Sequence, residues 1–256
     1  LKTRFGNTGN ILDFENLTEE NIYVLESPVL SNSQFEKFSE FFKNSIRVLD
    51  CTFDINKSLK ERLHELRLEA EIAVREGVKH LVLSDKEISE KKSFIPMAIT
   101  IGAINSRLIN LGIRGFTSIN VQTCEALDTH SFAVLLGVGA TTINPYLAFD
   151  SVHQRYEKKL FGNFNFEECI KRYVKSVDNG LLKIMSKMGI SVLSSYRGGC
   201  NFEAVGLSRS VVAEYFPGMV SRISGIGIAG IEKKIKELHK KAFQKNVFIL
   251  PIGGIY

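Results

Sequence analysis

Three short stretches hold residue types that do chemistry when correctly placed. Gly225-Ile-Gly-Ile-Ala-Gly230 has the G-x-G-x-x-G spacing with which a strand-to-helix turn offers backbone N–H groups to a pyrophosphate. Asn144-Pro-Tyr146 follows an apolar run, Ala140–Asn144, that reads as a strand. At such a strand end an asparagine presents a donor and an acceptor to a ligand, although Asn-Pro also starts many ordinary turns. Ser194-Ser-Tyr-Arg197 follows a second strand-like run, Ile190–Ser194. Its guanidinium suits a carboxylate or phosphate bidentately, or a contact between domains.

The glycine motif needs a buried strand before it and an acidic strand tip after it. Gly218-Met-Val-Ser-Arg-Ile-Ser is a poor strand, and a lysine-rich helix follows. The glycines of Ser221–Gly230 therefore read as a tight-turn loop. His130 lies in an apolar helix and reads as a satisfied, partly buried histidine. Asp50 and Asp85 end strands with no identifiable partner base, and neither a Ser-His-Asp layout nor a Walker loop is present. Cys51, Cys124, Cys169 and Cys200 make no Cys-x-x-Cys pair. That spacing argues against zinc, an iron–sulfur cluster or a disulfide framework and fits free thiols in a reducing cytoplasm.

A 44% hydrophobic, 24% charged composition is that of a protein with a sizeable core. The net charge of +5 is spread over helix faces, with clusters only at Lys158-Lys159 and Lys233-Lys234. No aromatic interleaving accompanies them, so nucleic acid is not an expected partner. No apolar run approaches a membrane span. The chain opens on Leu1 and closes on an apolar run, Val247–Tyr256, which reads as a piece of a longer polypeptide.

The elements that must position these residues alternate. Residues Leu1–Asn16 read as an extended lead-in, Thr18 as a helix cap, and Ser33–Phe41 as a short amphipathic helix. Strands are expected at Ile46–Asp50, His80–Ser84, Phe116–Val121, Ala140–Asn144 and Ile190–Ser194. Helices are expected at Leu59–Arg75, from Pro96 to Gly112, at Leu127–Leu136, after Pro145, and at Phe166–Met188. Apolar strands separated by helices imply an α/β fold: a parallel sheet flanked by helices on both faces, either open and doubly wound or a partial TIM-like barrel. The last part breaks this rhythm, with helical pieces at Asn201–Val205 and Ser208–Phe216 and a basic helix at Ile231–Phe243.

Several blocks in order resemble the large subunit of glutamate synthase. They include Glu26–Asn32, Leu49–Asp54, Leu81–Asp85, Phe132–Phe149, Gly180–Ser191, Ser195–Leu207 and Ser221–Gly227. The resemblance implies a central domain at 1–178 and the incomplete opening of an FMN-binding synthase domain at 179–256. The family enzyme makes glutamate from 2-oxoglutarate and glutamine-derived ammonia, using FMN and an iron–sulfur cluster. Neither cofactor is expected in this piece, nor is catalysis. Its implied neighbours are a glutaminase-type amidotransferase domain, the FMN domain and a small electron-transfer subunit. Asn144, Tyr146, Ser194, Tyr196 and Arg197 are the candidates for an ammonia-tunnel wall or interdomain contact. Gln122-Thr-Cys124 and Gly199-Cys200-Asn201 depart from the family pattern. The competing reading is an autonomous enzyme for a phosphorylated small molecule, using Asn144 and Arg197 on one sheet edge.

Overall fold

The computed structural model describes residues 1–6 and 22–244. The expectations placed on residues 7–16, on Thr18 and on Val247–Tyr256 lie outside them. In chain order the described elements begin with β1 (Thr3–Phe5), β2 (Tyr23–Leu25), α1 (Asn32–Phe41), β3 (Ile46–Asp50), β4 (Thr52–Asp54) and α2 (Leu59–Arg75). β5 (His80–Ser84), β6 (Lys92–Phe94), α3 (Met97–Asn110), β7 (Ser118–Gln122), α4 (Thr129–Gly137) and β8 (Thr142–Asn144) follow. Next come α5 (Tyr146–Glu157), α6 (Phe166–Lys187), α7 (Leu193–Tyr196), β9 (Glu203–Leu207), α8 (Arg209–Tyr215), β10 (Val220–Ile226) and α9 (Ile228–Ala242).

The helices start where short polar side chains can satisfy free N–H groups. Ser31 and Gln34 form a capping box on α1, while Ser58, Asp128, Asn165 and Ser208 cap α2, α4, α6 and α8. Leu59, Leu63, Leu66, Ala70, Ala73 and Val74 form the buried stripe of α2. Gly77 then ends that segment at φ +91°.

β3, β5, β7 and β8 form one parallel sheet in that spatial order. Sequential strands lie side by side, and the order never reverses. That removes the doubly wound alternative, which needs a reversal. Right-handed crossovers stepping in one direction place α2, α3 and α4 on the same face. Leu49, Leu81, Leu83, Ile119, Val121 and Ile143 point into the main core shared with those helices. The arrangement is an open segment of barrel-like sheet, with α2, α3 and α4 on one face and α1 packed on the other. At its amino end the other face is covered by Phe5, Leu25, Leu30 and Phe38, a small separate core. Phe5, Phe38 and Phe42 pack their rings around His80 there.

Three expectations for the last part are overturned. Ile190–Ser194 is not a strand: Gly189, at φ +70°, ends α6, and the chain makes a loop and the single turn α7. Asn201–Val205 is not helical but leads into β9, and Ser221–Gly230 is not a turn but contains β10. β9 and β10 pair in parallel around α8, a second β-α-β unit. A Cβ on Gly225 would lie 2.0 Å from the Gly206 carbonyl oxygen, so close strand approach requires this glycine. Gly227 caps α9, and the G-x-G-x-x-G spacing is thereby accounted for by packing.

Candidate functional site

In a parallel sheet stepped in one direction, residues opposite one another form rows across the strands. On the face away from α2, α3 and α4 the register sets Asp50, Ser84, Gln122 and Asn144 in one row at the carboxyl edge. Ser84 Oγ donates to Gln122 Oε1 at 2.9 Å, and Gln122 Nε2 donates to Asn144 Oδ1 at 3.1 Å. Asn144 Nδ2 donates to Asn32 Oδ1 and to the Leu30 carbonyl, both at 2.9 Å. A second row lies beneath: Thr142 Oγ1 donates to Asn120 Oδ1, and Asn120 Nδ2 donates to Ser118 Oγ and the Leu81 carbonyl. From Ser84 onward the upper row is uncharged. It ends at Asn32, which lines a cleft of about 690 Å³ with Gln34, Phe149, Ile170, Val174 and Lys175 among its other walls.

One residue further along the strands the side chains point toward the helices, where acids collect. Asp85 is fully buried and accepts from Thr123 Oγ1 at 2.5 Å and from the Cys124 N–H at 3.1 Å. The Tyr146 phenol also hydrogen-bonds Asp85, and Lys86 lies over its ring. Burial raises the Asp85 carboxyl above its ordinary range despite those donors. Burial and the Asp85 charge push the Cys124 thiol up to about 12 and hold the Tyr146 phenol above its ordinary value. The thiolate is the reactive form of cysteine, so Cys124 is inert here, and buried Cys51 is raised in the same way. The arrangement binds through hydrogen bonds and contains no activated nucleophile.

Glu125 stands at the start of α3, whose N-cap, Pro96, makes no side-chain hydrogen bond. Its Oε2 accepts from the Met97 N–H at 2.5 Å. Burial, with a smaller contribution from the Asp85 charge, raises its carboxyl from 4.5 to about 7. Between those pH values the folded protein keeps a proton that the unfolded chain has lost, so stability rises as pH falls. Glu125→Gln keeps the cap and removes the charge. It is expected to stabilise the protein by about 2–3 kcal/mol at pH 8, with the difference vanishing below pH 4.5. His80 works in the other sense, because burial lowers it from 6.5 to about 4. Its contribution is complete above pH 6.5 and is lost as pH falls toward 4. Urea midpoints across pH 4–8 should therefore fall more steeply on acidification in the glutamine variant than in the unaltered protein.

The five sequence candidates do not converge. Asn144 is central to the upper row, whereas Tyr146 lies on the helix side of the sheet against Asp85. Ser194 is exposed on α7, whereas Tyr196 is buried with its ring edge-on to Phe202. Arg197 donates from Nε to the Ala140 carbonyl, before β8, and so lies at the amino edge. The reading that needed Asn144 and Arg197 on one edge is corrected by this geometry. Ser84, Gln122 and Glu125 were not among the candidates. Polar residues closing two successive buried strands were the signal for the first two, while the reach of Glu125 to Met97 left no mark in the local sequence.

Residues 1–208 match the family model described as glutamate synthase central domain. The chain belongs to that family. It is 50% identical over 259 residues to the NADPH glutamate synthase large chain of Azospirillum brasilense, covering all of this chain and 17% of that one. The NADPH large chain of Bacillus subtilis is 37% identical, covering 87% of this chain and 14% of its own length. The chloroplastic ferredoxin-dependent glutamate synthase of Spinacia oleracea is also 37% identical, covering 96% and 16%. The chain spans about one-sixth of the length of these curated relatives. A mutant flavocytochrome b2 with benzoylformate shares 12% identity at a TM-score of 0.42 over 76% of this chain and 46% of that one. The glutamate synthase central domain thus presents a parallel sheet with an uncharged polar row along its carboxyl edge.

Proposed function

We propose that this chain is the interdomain scaffold of a glutamate synthase large subunit and that its carboxyl-edge row forms part of an ammonia-tunnel wall. Residues 1–178 are the central domain, and 179–256 open the FMN-binding synthase domain. The parent enzyme transfers glutamine-derived ammonia reductively to 2-oxoglutarate. The observation that carries the reading is the row Ser84–Gln122–Asn144–Asn32, which runs from mid-sheet to a cleft. A neutral molecule that both donates and accepts hydrogen bonds is suited to such a row.

The partners in this reading are the amidotransferase domain, the rest of the FMN domain and a small electron-transfer subunit. Nucleic acid and membrane have no part in it, and the compartment is the cytoplasm. No helix among the described residues is long and apolar enough to cross a membrane. The residues present do not fit an iron–sulfur cluster. Cys51, between β3 and β4, and Cys169, on α6, are buried apart, and no group of three His, Cys, Asp or Glu side chains among the described residues is placed to hold a metal ion. FMN and the cluster belong, in this reading, to other parts of the parent polypeptide. The face of β9 and β10 that carries Val205, Val220 and Ile223 is exposed, which supports its being covered by another part of the parent polypeptide.

Two measurements test the reading. A flavin titration of the 256-residue chain is expected to show no stoichiometric FMN binding, and stoichiometric binding would overturn its catalytic silence. In the full-length enzyme, Gln122→Leu is expected to release ammonia to solvent and to depress glutamine-dependent glutamate formation several-fold, with glutaminase activity retained. Unchanged coupling between the two half-reactions would remove the tunnel-wall role.

A further inference from the structure

Two arginines meet at the opposite, amino edge of the sheet. Arg114 begins a one-turn helix, Arg114–Phe116, ahead of β7. Its Nε donates to Asn105 Oδ1 at 2.7 Å, and its terminal nitrogens donate to the Thr117 carbonyl at 2.5 Å and the Gly139 carbonyl at 3.0 Å. Arg197 follows α7, and its Nε donates to the Ala140 carbonyl at 2.9 Å. The Arg197 loop is clamped there by the Gly198 N–H on the Gly137 carbonyl, at 2.9 Å. Gly139 and Ala140 are consecutive, so the two guanidiniums rest on adjacent peptide groups.

This pairing is costly. Each arginine is partly buried, which lowers both below their ordinary value, and Arg114 also feels the charge of Arg197. No carboxylate pairs with either among the described residues. The Gly139 and Ala140 carbonyls that accept from them lie past the end of α4 and carry only partial negative charge. A guanidinium has five N–H donors. Arg197 commits only Nε, which leaves both terminal nitrogens without a protein acceptor among the described residues. Desolvated charges are retained where something compensates them. Two forks with spare donors, held rigidly side by side, match the oxygens of a carboxylate or phosphate.

We propose that Arg114 and Arg197 form a binding site for a small free oxyanion at the amino edge of the sheet. The site is separate from the carboxyl-edge row and does not depend on the role assigned to that row. Inorganic phosphate is the probe. At constant ionic strength, replacing chloride by phosphate is expected to raise the melting temperature of the 256-residue chain in a saturable manner. Arg197→Gln is expected to weaken the apparent affinity at least tenfold while leaving the melting temperature in chloride nearly unchanged. Arg197→Lys, which keeps the charge but not the fork, is expected to fall between. In the unaltered chain, the Arg114 and Arg197 Nε–H resonances should shift along the same titration curve, a readout that does not rely on a variant folding. No phosphate response in the unaltered chain, or an equal response in Arg197→Gln, would overturn the proposal.

Discussion

Gly102→Ala is expected to loosen the C-terminal β-α-β unit from the main sheet and to cost about 1–2 kcal/mol of stability. Gly102 lies mid-way along α3 and is fully packed there. A Cβ at this position would stand 2.4 Å from the Tyr215 carbonyl oxygen and 2.7 Å from the Phe216 ring, both at the end of α8. The first of these is backbone, so relief requires α8 to move. Forcing an extra methyl into such a contact costs about 1–3 kcal/mol or more, and the better helix propensity of alanine returns roughly 1 kcal/mol. Arg67 sits at the same junction, with its guanidinium on the Glu214 carboxylate and over the Tyr215 ring, so displacement of α8 breaks those contacts as well. The comparison is Gly115→Ala, where a Cβ meets nothing within 4 Å and the change should stay within about 0.5 kcal/mol. Urea midpoints for both variants, with limited proteolysis for exposure of α8, check this. Equal midpoints would show that the two units are not docked through Gly102.

This junction also shows what the sequence made readable. Helices with a full apolar stripe were legible to within a residue or two: α2 is bounded by Ser58 and Gly77, and α6 by Asn165 and Gly189. Strands buried on both sides, such as β5, read as unbroken apolar runs. β9 and β10 did not, because they are half-exposed and interrupted by two glycines: Gly206 takes a left-handed turn of the backbone at φ +79°, and Gly225 allows close approach of the neighbouring strand. Conversely, Ile190-Ser-Val-Leu193 has strand-like residues, yet no neighbouring strand pairs with it among the described residues. Asn144 was legible because a strand end is a privileged position. Its row was not, because Ser84, Gln122 and Asn144 become neighbours only when three strands are set in register. Arg114 and Arg197 come together through a loop docking on the end of α4, and no local pattern encodes that.

Asn144→Leu is expected to cost about 3 kcal/mol, and Asn144→Asp more than that at pH 8. Asn144 is fully buried and its side chain has opposite duties on its two ends. Oδ1 accepts from Gln122, while Nδ2 donates to the Leu30 carbonyl and Asn32 Oδ1. Leucine matches the volume but leaves these groups unpaired, at roughly 1–3 kcal/mol each where water cannot reach them. An introduced carboxylate could still accept from Gln122, but its second oxygen would face two acceptors. A buried charge without a partner costs about 3–5 kcal/mol. Protonation resolves the conflict, since a neutral carboxyl donates its O–H to the Leu30 carbonyl. The folded state then holds a proton that the unfolded chain gives up near pH 4, so stability should rise on acidification by about 1.4 kcal/mol per pH unit while that difference persists. Leucine has nothing to titrate, and its deficit should follow the unaltered protein in parallel. Chemical denaturation of the two variants between pH 5 and 8 separates the cases. Parallel profiles for both would mean that water enters beside Asn144 and that the upper row is open to solvent there.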